Sequence, residues 1–243
     1  MRAIVLVIGL LCACKSAGAE DMATRDVVAR LFAATTQNPA DLSGENLANL
    51  DLAGLDFKHA NLKGASLFGA DLTGANLTGC NLEGANLDRA TLTSTDLSNA
   101  NLREASIRRP SIYASMVPDA AEAPIFREAN LERAWLEGIF DYSDFTGADL
   151  TGARFGGLNP RDSQGNIRGP ILRGAKFVKT TMKGVILERA DLSFADFSGS
   201  QLDGANLQSA NLTRTIFRDA SLRSANLFAA LLDGTDWTNA VVP

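Results

Sequence analysis

The chain has 243 residues, 28 of them acidic and 23 basic, and 46% of it is hydrophobic. A net charge of −5 excludes a strongly basic nucleic-acid binder, and no long run of one sign marks an acidic or basic tail. One histidine and three cysteines are too few to assemble a histidine-based metal site or a Ser/His/Asp constellation.

Residues 1–19 read as a signal segment. Arg2 supplies a short positive start, and Ala3–Leu11 is an apolar run too short to span a bilayer. Two exits are open. Ala17, Gly18 and Ala19 form a small-x-small site that predicts cleavage after Ala19. Leu11, Cys12, Ala13 and Cys14 resemble a bacterial lipoprotein box, which would make Cys14 a lipidated N-terminus. Either exit predicts an exported bacterial protein, periplasmic or outer-membrane-associated, that touches a membrane only through such an anchor.

Residues 20–39 obey a different rule. Val27, Val28, Leu31 and Phe32 fall at helical spacing, and Pro39 ends the segment. We expect a short capping helix, laid over the near end of the repeat array that begins at residue 40.

From residue 40 to 243 one phrase recurs every five residues, as in Ala60–Gly64 (ANLKG) and Ala75–Gly79 (ANLTG). Five fits neither the 3.6-residue helix nor the two-residue strand. It does fit a chain that turns a corner of about 90° once per repeat, so that four repeats close a square coil of about 20 residues stacked at about 4.8 Å. The Leu/Phe and the small residue two before it then point inward. The Asn/Asp between them points out, bonds local backbone and steadies the bend, and the Gly supplies a positive φ. Leu50 and Leu55 replace the usual small residue in the first coil, and Glu45 occupies an inward slot from which we expect it to escape to solvent. Cys80 fills an inward small-residue slot and reads as a buried, unreactive thiol.

These residues resemble the pentapeptide-repeat family, with its A(D/N)LXX motif. The resemblance implies an all-β fold, a right-handed quadrilateral β-helix, here with the short N-terminal capping helix.

The period breaks near 113–125 and 156–171, where Pro, Gly and Asp-rich stretches predict loops projecting from the shaft. A single step of four, from Leu136 to Phe140, predicts a local distortion. Tyr113, Trp135 and Tyr142 take outward positions near the first loop, and with Asp162 in the second they are the candidate partner contacts; rings packed beneath the loop are the alternative. Residues about twenty apart should stack, placing Lys63, Glu83 and Arg103 in one sign-alternating column and Lys183, Asp203 and Arg223 in another.

No catalytic, cofactor-binding or metal-ligating set emerges, and His59, the sole histidine, sits at an outward corner. The Asp residues of the motif are explained by turn chemistry. The reading is therefore a non-catalytic protein-interaction scaffold of the bacterial envelope, with an unidentified protein partner and no small-molecule substrate or nucleic acid. A homodimer through the C-terminal coil edge is a further expectation. Two other classes stay open. Resistance members of the family imitate DNA against gyrase, which a balanced charge and an exported location disfavour. A β-helix envelope enzyme is the other, and it lacks a marked carboxylate pair.

Overall fold

A computed structural model describes residues 23–115, 117–156 and 169–243. The unit from which it is built is the five-residue corner. In the repeat at Ala70–Gly74, the Oδ1 of Asp71 accepts the Thr73 N–H at 2.9 Å and the Thr73 hydroxyl at 2.6 Å. The Ala75 N–H then closes the turn on the Leu72 carbonyl at 2.9 Å. Gly74, third in that turn, has φ +63°, the sign a type II turn requires at this position. The same Asx bond recurs along the shaft, at Asn76, Asp96, Asp149, Asp196 and Asp236 among others.

Each corner hands the chain to the next face, and each face stacks in parallel on the coil before it. Asn61 pairs with Asn81 and Asn81 with Asn101; Asn76 pairs with Asp96. There are four such columns, here called the first to fourth faces for the rungs at Leu62, Leu67, Leu72 and Leu77; three pair without a break along the shaft, and the third is interrupted between Ser111 and Ile139. On the first face Asp41 begins a column that ends at Val241. Where pairing lengthens into strands they lie on the second face: β1 (Ser106–Arg108), β2 (Trp135–Glu137) and β3 (Arg154–Gly156), in the order β1-β2-β3 and all parallel.

Leu62, Leu82 and Leu102 stand in one column and are fully buried, as are Ala60 and Cys80 in the small-residue slots beside them. Burial pushes the Cys80 thiol up to about 12, so it stays protonated and inert at neutral pH. The fourth face differs from the others in its filling. Phe126, Phe145, Phe177, Phe197, Phe217 and Trp237 stack ring on ring, with centroids 4.7–5.0 Å apart and planes within 14°. The coil spacing itself imposes this geometry, which lies at the near end of the range for offset aromatic pairs.

The breaks in period appear as changes of register. Regular coils advance 20 residues, but Asn101 pairs with Asn130, Asn130 with Asp149 and Asp149 with Thr181. The coil with the four-residue step is thus one residue short, and Gly138 (φ +132°) takes up the difference. The two longer coils carry the insertions, and the rungs on either side stay in line.

One helix, α1 (Thr24–Ala33), lies against the first coil. Val27 and Leu31 are buried on the core, whereas Val28 and Phe32 face outward, Phe32 at 86% exposed. The helical spacing of all four residues suggests a single buried stripe, but a helix resting on a narrow square end has contact room for only one i, i+4 pair. The Lys58 ammonium donates to the Leu31 and Ala34 carbonyls at 2.9 and 3.2 Å, satisfying the helix C-terminus. Glu45 does turn outward, and its carboxylate meets Arg30 of α1 at 2.9 Å. Leu50 and Leu55 are only partly buried and pack on the core at this end.

This packing has two measurable outcomes. Phe177→Ala, which removes a ring from the middle of the stack, should cost about 3–5 kcal/mol by urea denaturation, while Phe228→Ala, 73% exposed, should stay within about 0.5 kcal/mol. The second concerns acid. Turn hydrogen bonds from Thr238, joined by Arg218, hold the Asp236 carboxyl down at about 2, and Asp41 and Asp203 are lowered chiefly by Ser43 and Ser221. A depressed carboxyl stabilises above its unfolded value of about 3.9 and loses that contribution as pH falls through the folded value. The urea midpoint should therefore be flat from neutrality down to about pH 4 and fall between about pH 4 and 2, which a midpoint series across that range measures.

Candidate partner-binding surface

The first insertion leaves the third face after Ile112 and rejoins the fourth at Ile125, so it sits on the corner between them. Three contacts tie it down. The Ser94 N–H, from the corner one coil earlier, donates to the Glu122 carbonyl at 2.6 Å. The Ala114 N–H donates to the Glu122 carboxylate at 2.9 Å, closing the loop on itself. The Tyr113 hydroxyl donates to the Asp141 carbonyl at 2.9 Å, on the coil above.

Asp141 explains why that coil is rigid here. Its side chain is 1% exposed, and it would be costly to bury without partners. It accepts the Arg173 backbone N–H at 2.7 Å and the guanidinium Nε and Nη2 at 3.0 and 2.6 Å. Its ion pair crosses the long coil, since Asp141 and Arg173 are 32 residues apart. Burial, then the charge of Asp141, pushes the Tyr113 phenol well above its ordinary range, so it remains a hydrogen-bond donor throughout the neutral range.

Beside the loop the same corner carries an exposed groove of about 650 Å³, lined by Val117, Pro118, Tyr142, Arg173, Gly174 and Phe194. Tyr142 and Phe194 are corner residues with φ +59° and +63°, and they are 41% and 58% exposed. Gly174 lies between them, and a Cβ there would sit 2.8 Å from two Tyr142 ring carbons, so the glycine lets that ring lie flat along the corner. Arg214, one coil beyond, stacks over Phe194 at 5.6 Å. Rigid aromatic groups flanked by arginine are the side chains that dominate protein interfaces.

The residues singled out from sequence separate in space. Tyr113 and Tyr142 come together at this corner, but in different roles. Tyr113 does not face outward: it is half-buried against the core and anchors the loop. Tyr142 faces solvent. Trp135 is 47% exposed on β2 of the second face, with the Arg108 guanidinium 4.7 Å from its ring centre. Asp162, Cys14 and Ala19 lie outside the described residues. His59 stands at a corner with its ring against Gly79. Sequence reasoning misses Phe194, Arg173 and Asp141 as members of this surface. Their place becomes legible only when the insertion between Phe155 and Leu172 is counted into the register.

The sign-alternating columns form only in part. Lys63 meets Glu83 at 3.2 Å, but Arg103 turns to Glu132 on the next coil at 3.7 Å. Asp203 accepts the Arg223 N–H at 3.0 Å. Among the described residues no group of three or more His, Cys, Asp or Glu side chains is placed to hold a metal ion.

The sequence has counterparts among known proteins. The sequence profile described as pentapeptide repeats matches in eight copies, over residues 40–69, 70–109, 125–159, 171–200 and 200–236. Among solved structures the chain is similar to HetL of the cyanobacterium Nostoc, a pentapeptide repeat protein involved in heterocyst differentiation regulation. That match has 28% identity over 84% of this chain and 76% of the other, with a TM-score of 0.30. It is also similar to a pentapeptide repeat protein of the Arabidopsis thaliana thylakoid lumen, at 32% identity over 51% of this chain and 70% of that one, TM-score 0.28. QnrB1, a plasmid-mediated fluoroquinolone resistance protein, matches at 20% identity over 84% and 89%, TM-score 0.38. No functionally curated protein matches the chain by sequence.

Removing the loop anchor should be measurable. Tyr113→Phe deletes one hydrogen bond, worth about 0.5–1.5 kcal/mol. Limited proteolysis should then cleave within 114–121 sooner than in the parent, with the shaft left intact.

Proposed function

We propose that this chain, which belongs to the pentapeptide-repeat family, is a non-catalytic protein-interaction scaffold of the bacterial cell envelope. Residues 1–19 are its export signal, residues 20–39 close the near end, and residues 40–243 form a right-handed square shaft. The shaft is a spacer that holds contact elements at fixed heights. The observation that carries this reading is the pinned loop beside the Tyr142–Phe194 groove: an insertion without a role would have no need of a half-buried tyrosine bonded to the coil above and a backbone N–H of the coil below to hold it beside exposed rings. A folded protein partner that seats an apolar side chain in the groove fits its size and lining. The reading extends to a second copy of the chain meeting the last coil, where Phe228 and Leu231 are 73% and 60% exposed.

Site-specific photo-crosslinking in intact cells tests the contact. A crosslinker at Tyr142 or Phe194 should give one shared protein adduct, absent with the crosslinker at Glu83 on the first face and lost when residues 114–121 are deleted. Equal adducts from Glu83 would refute the groove assignment. Fractionation with intact mass of the N-terminus tests the compartment: a chain starting at Glu20, or at an acylated Cys14, is expected in the envelope fraction, and an unprocessed cytosolic chain would refute the envelope role.

A further inference from the structure

The charges of the shaft are not spread evenly over its faces. The third face and the corner after it carry the carboxylates of Asp51, Asp71, Asp141, Asp191 and Asp233 against two arginines, Arg173 and Arg214. On the second face and its following corner the balance reverses. Among the described residues, Arg89, Arg108, Arg109, Arg154 and Arg189 face three acids there, Asp88, Glu137 and Glu188. In a chain of net charge −5, this is a locally positive strip, and every cation in it is a guanidinium.

Its arginines are held in place, with donors to spare. Arg108 binds Asp88 through Nε and Nη2 and lies 4.7 Å from the ring centre of Trp135. Asp88 is buried, and although burial alone would raise its pKa, its bonds to Arg108 and Ser106 outweigh that and hold it ionised. Arg109 donates Nε to Glu137 at 2.9 Å. Arg89 lies over Phe68 at 5.7 Å and forms no ion pair among the described residues. Around a cleft of about 300 Å³, these three guanidiniums thus keep N–H groups that their acid partners do not use, since each group carries five. Arg89 and Arg109 occupy the same corner on successive coils, a like-charged step that favours an anion between them. Exposed apolar side chains interleave with this charge: Trp135 at 47% and Ile186 at 43%, near Arg154.

We propose that the second face binds an acidic, apolar-bearing segment of a partner protein, extended along the shaft axis from Phe68 to Ile186. The rungs between them span about 24 Å at about 4.8 Å each, the length of about seven extended residues. Carboxylates of the segment would meet Arg89 and Arg109, and its apolar side chains would cover Trp135 and Ile186. Charge complementarity selects this occupant. A nucleic acid, with one negative charge per roughly 1.7 Å of duplex, would press phosphates onto Asp88 and Glu137 and leave Trp135 and Ile186 without apolar partners. The surface lies away from the loop groove, so either contact stands without the other.

Fluorescence anisotropy with a labelled extended peptide of glutamates interleaved with leucines tests this on the full mature chain. The peptide should bind, more weakly as salt rises, while its lysine counterpart should not. Arg89→Glu with Arg109→Glu should weaken binding at least about tenfold, and Trp135→Ala should weaken it in the same direction. Arg223→Glu on the first face and Tyr142→Ala in the groove should leave it unchanged. Circular dichroism of each variant separates lost binding from lost folding. Equal binding of both peptides, tighter binding of a DNA duplex or of anionic phospholipid vesicles, or a folded Arg89/Arg109 variant that binds as the parent does would each overturn the proposal.

Discussion

The corner that closes every fifth residue is the constraint on which the rest of this shaft depends. It requires a left-handed backbone at one residue per repeat, which costs an ordinary side chain about 1–2 kcal/mol. Glycine avoids that cost at Gly54, Gly74 and Gly84, yet Arg89, Glu104, Tyr142 and Phe194 adopt the same positive φ. They can do so because each repeat also buries a Leu or Phe, worth about 1.5–3 kcal/mol, and because an Asx bond fixes the turn at Arg89, Glu104 and Phe194, while at Tyr142, whose rung is Ile139, the Ser143 N–H closes the turn on the Phe140 carbonyl. Corners can therefore carry large side chains, and it is at such corners that the aromatic and cationic groups of both candidate surfaces project.

Because each coil touches only its neighbours, the fold tolerates additions that an ordinary sheet would not. A coil with an insertion and a coil one residue short leave the columns of the first, second and fourth faces unbroken and interrupt only the third, between Ser111 and Ile139. The two insertions bracket the third face, one leaving at the corner after it and the other, past Gly156, at the corner before it. The first is fastened by Tyr113, Glu122 and Ser94 to coils on both sides. A fastened loop preorganises the groove beside it, so that little ordering cost remains for a partner to meet.

Separation of charge by face gives one rod two kinds of surface. Since the side chains of one column repeat every coil, a bias in composition at one motif position becomes a stripe. Asp141 and Asp191 of the third face lie in the same coils as the apolar groove, whereas guanidiniums braced by Asp88 and Glu137 line the second. A near-neutral total hides this arrangement, because the faces offset one another in the sum.

The sequence by itself determined the period, and with it the square coil, the inward leucines and the outward Asn/Asp turns. Those obey local rules: a fifth-residue bend, an Asx bond two residues long, a small residue wherever four side chains converge. It also located the interruptions, since composition and spacing both fail there. Tertiary structure alone decided how the interrupted coils realign, and so which residues meet. Asp141 and Arg173, or Arg108 and Trp135, are brought together by a register that depends on insertion lengths rather than on any local pattern. For the same reason Tyr113, outward by its position in the motif, turned under its loop, and Val28 and Phe32 turned away from a coil end too narrow to cover them.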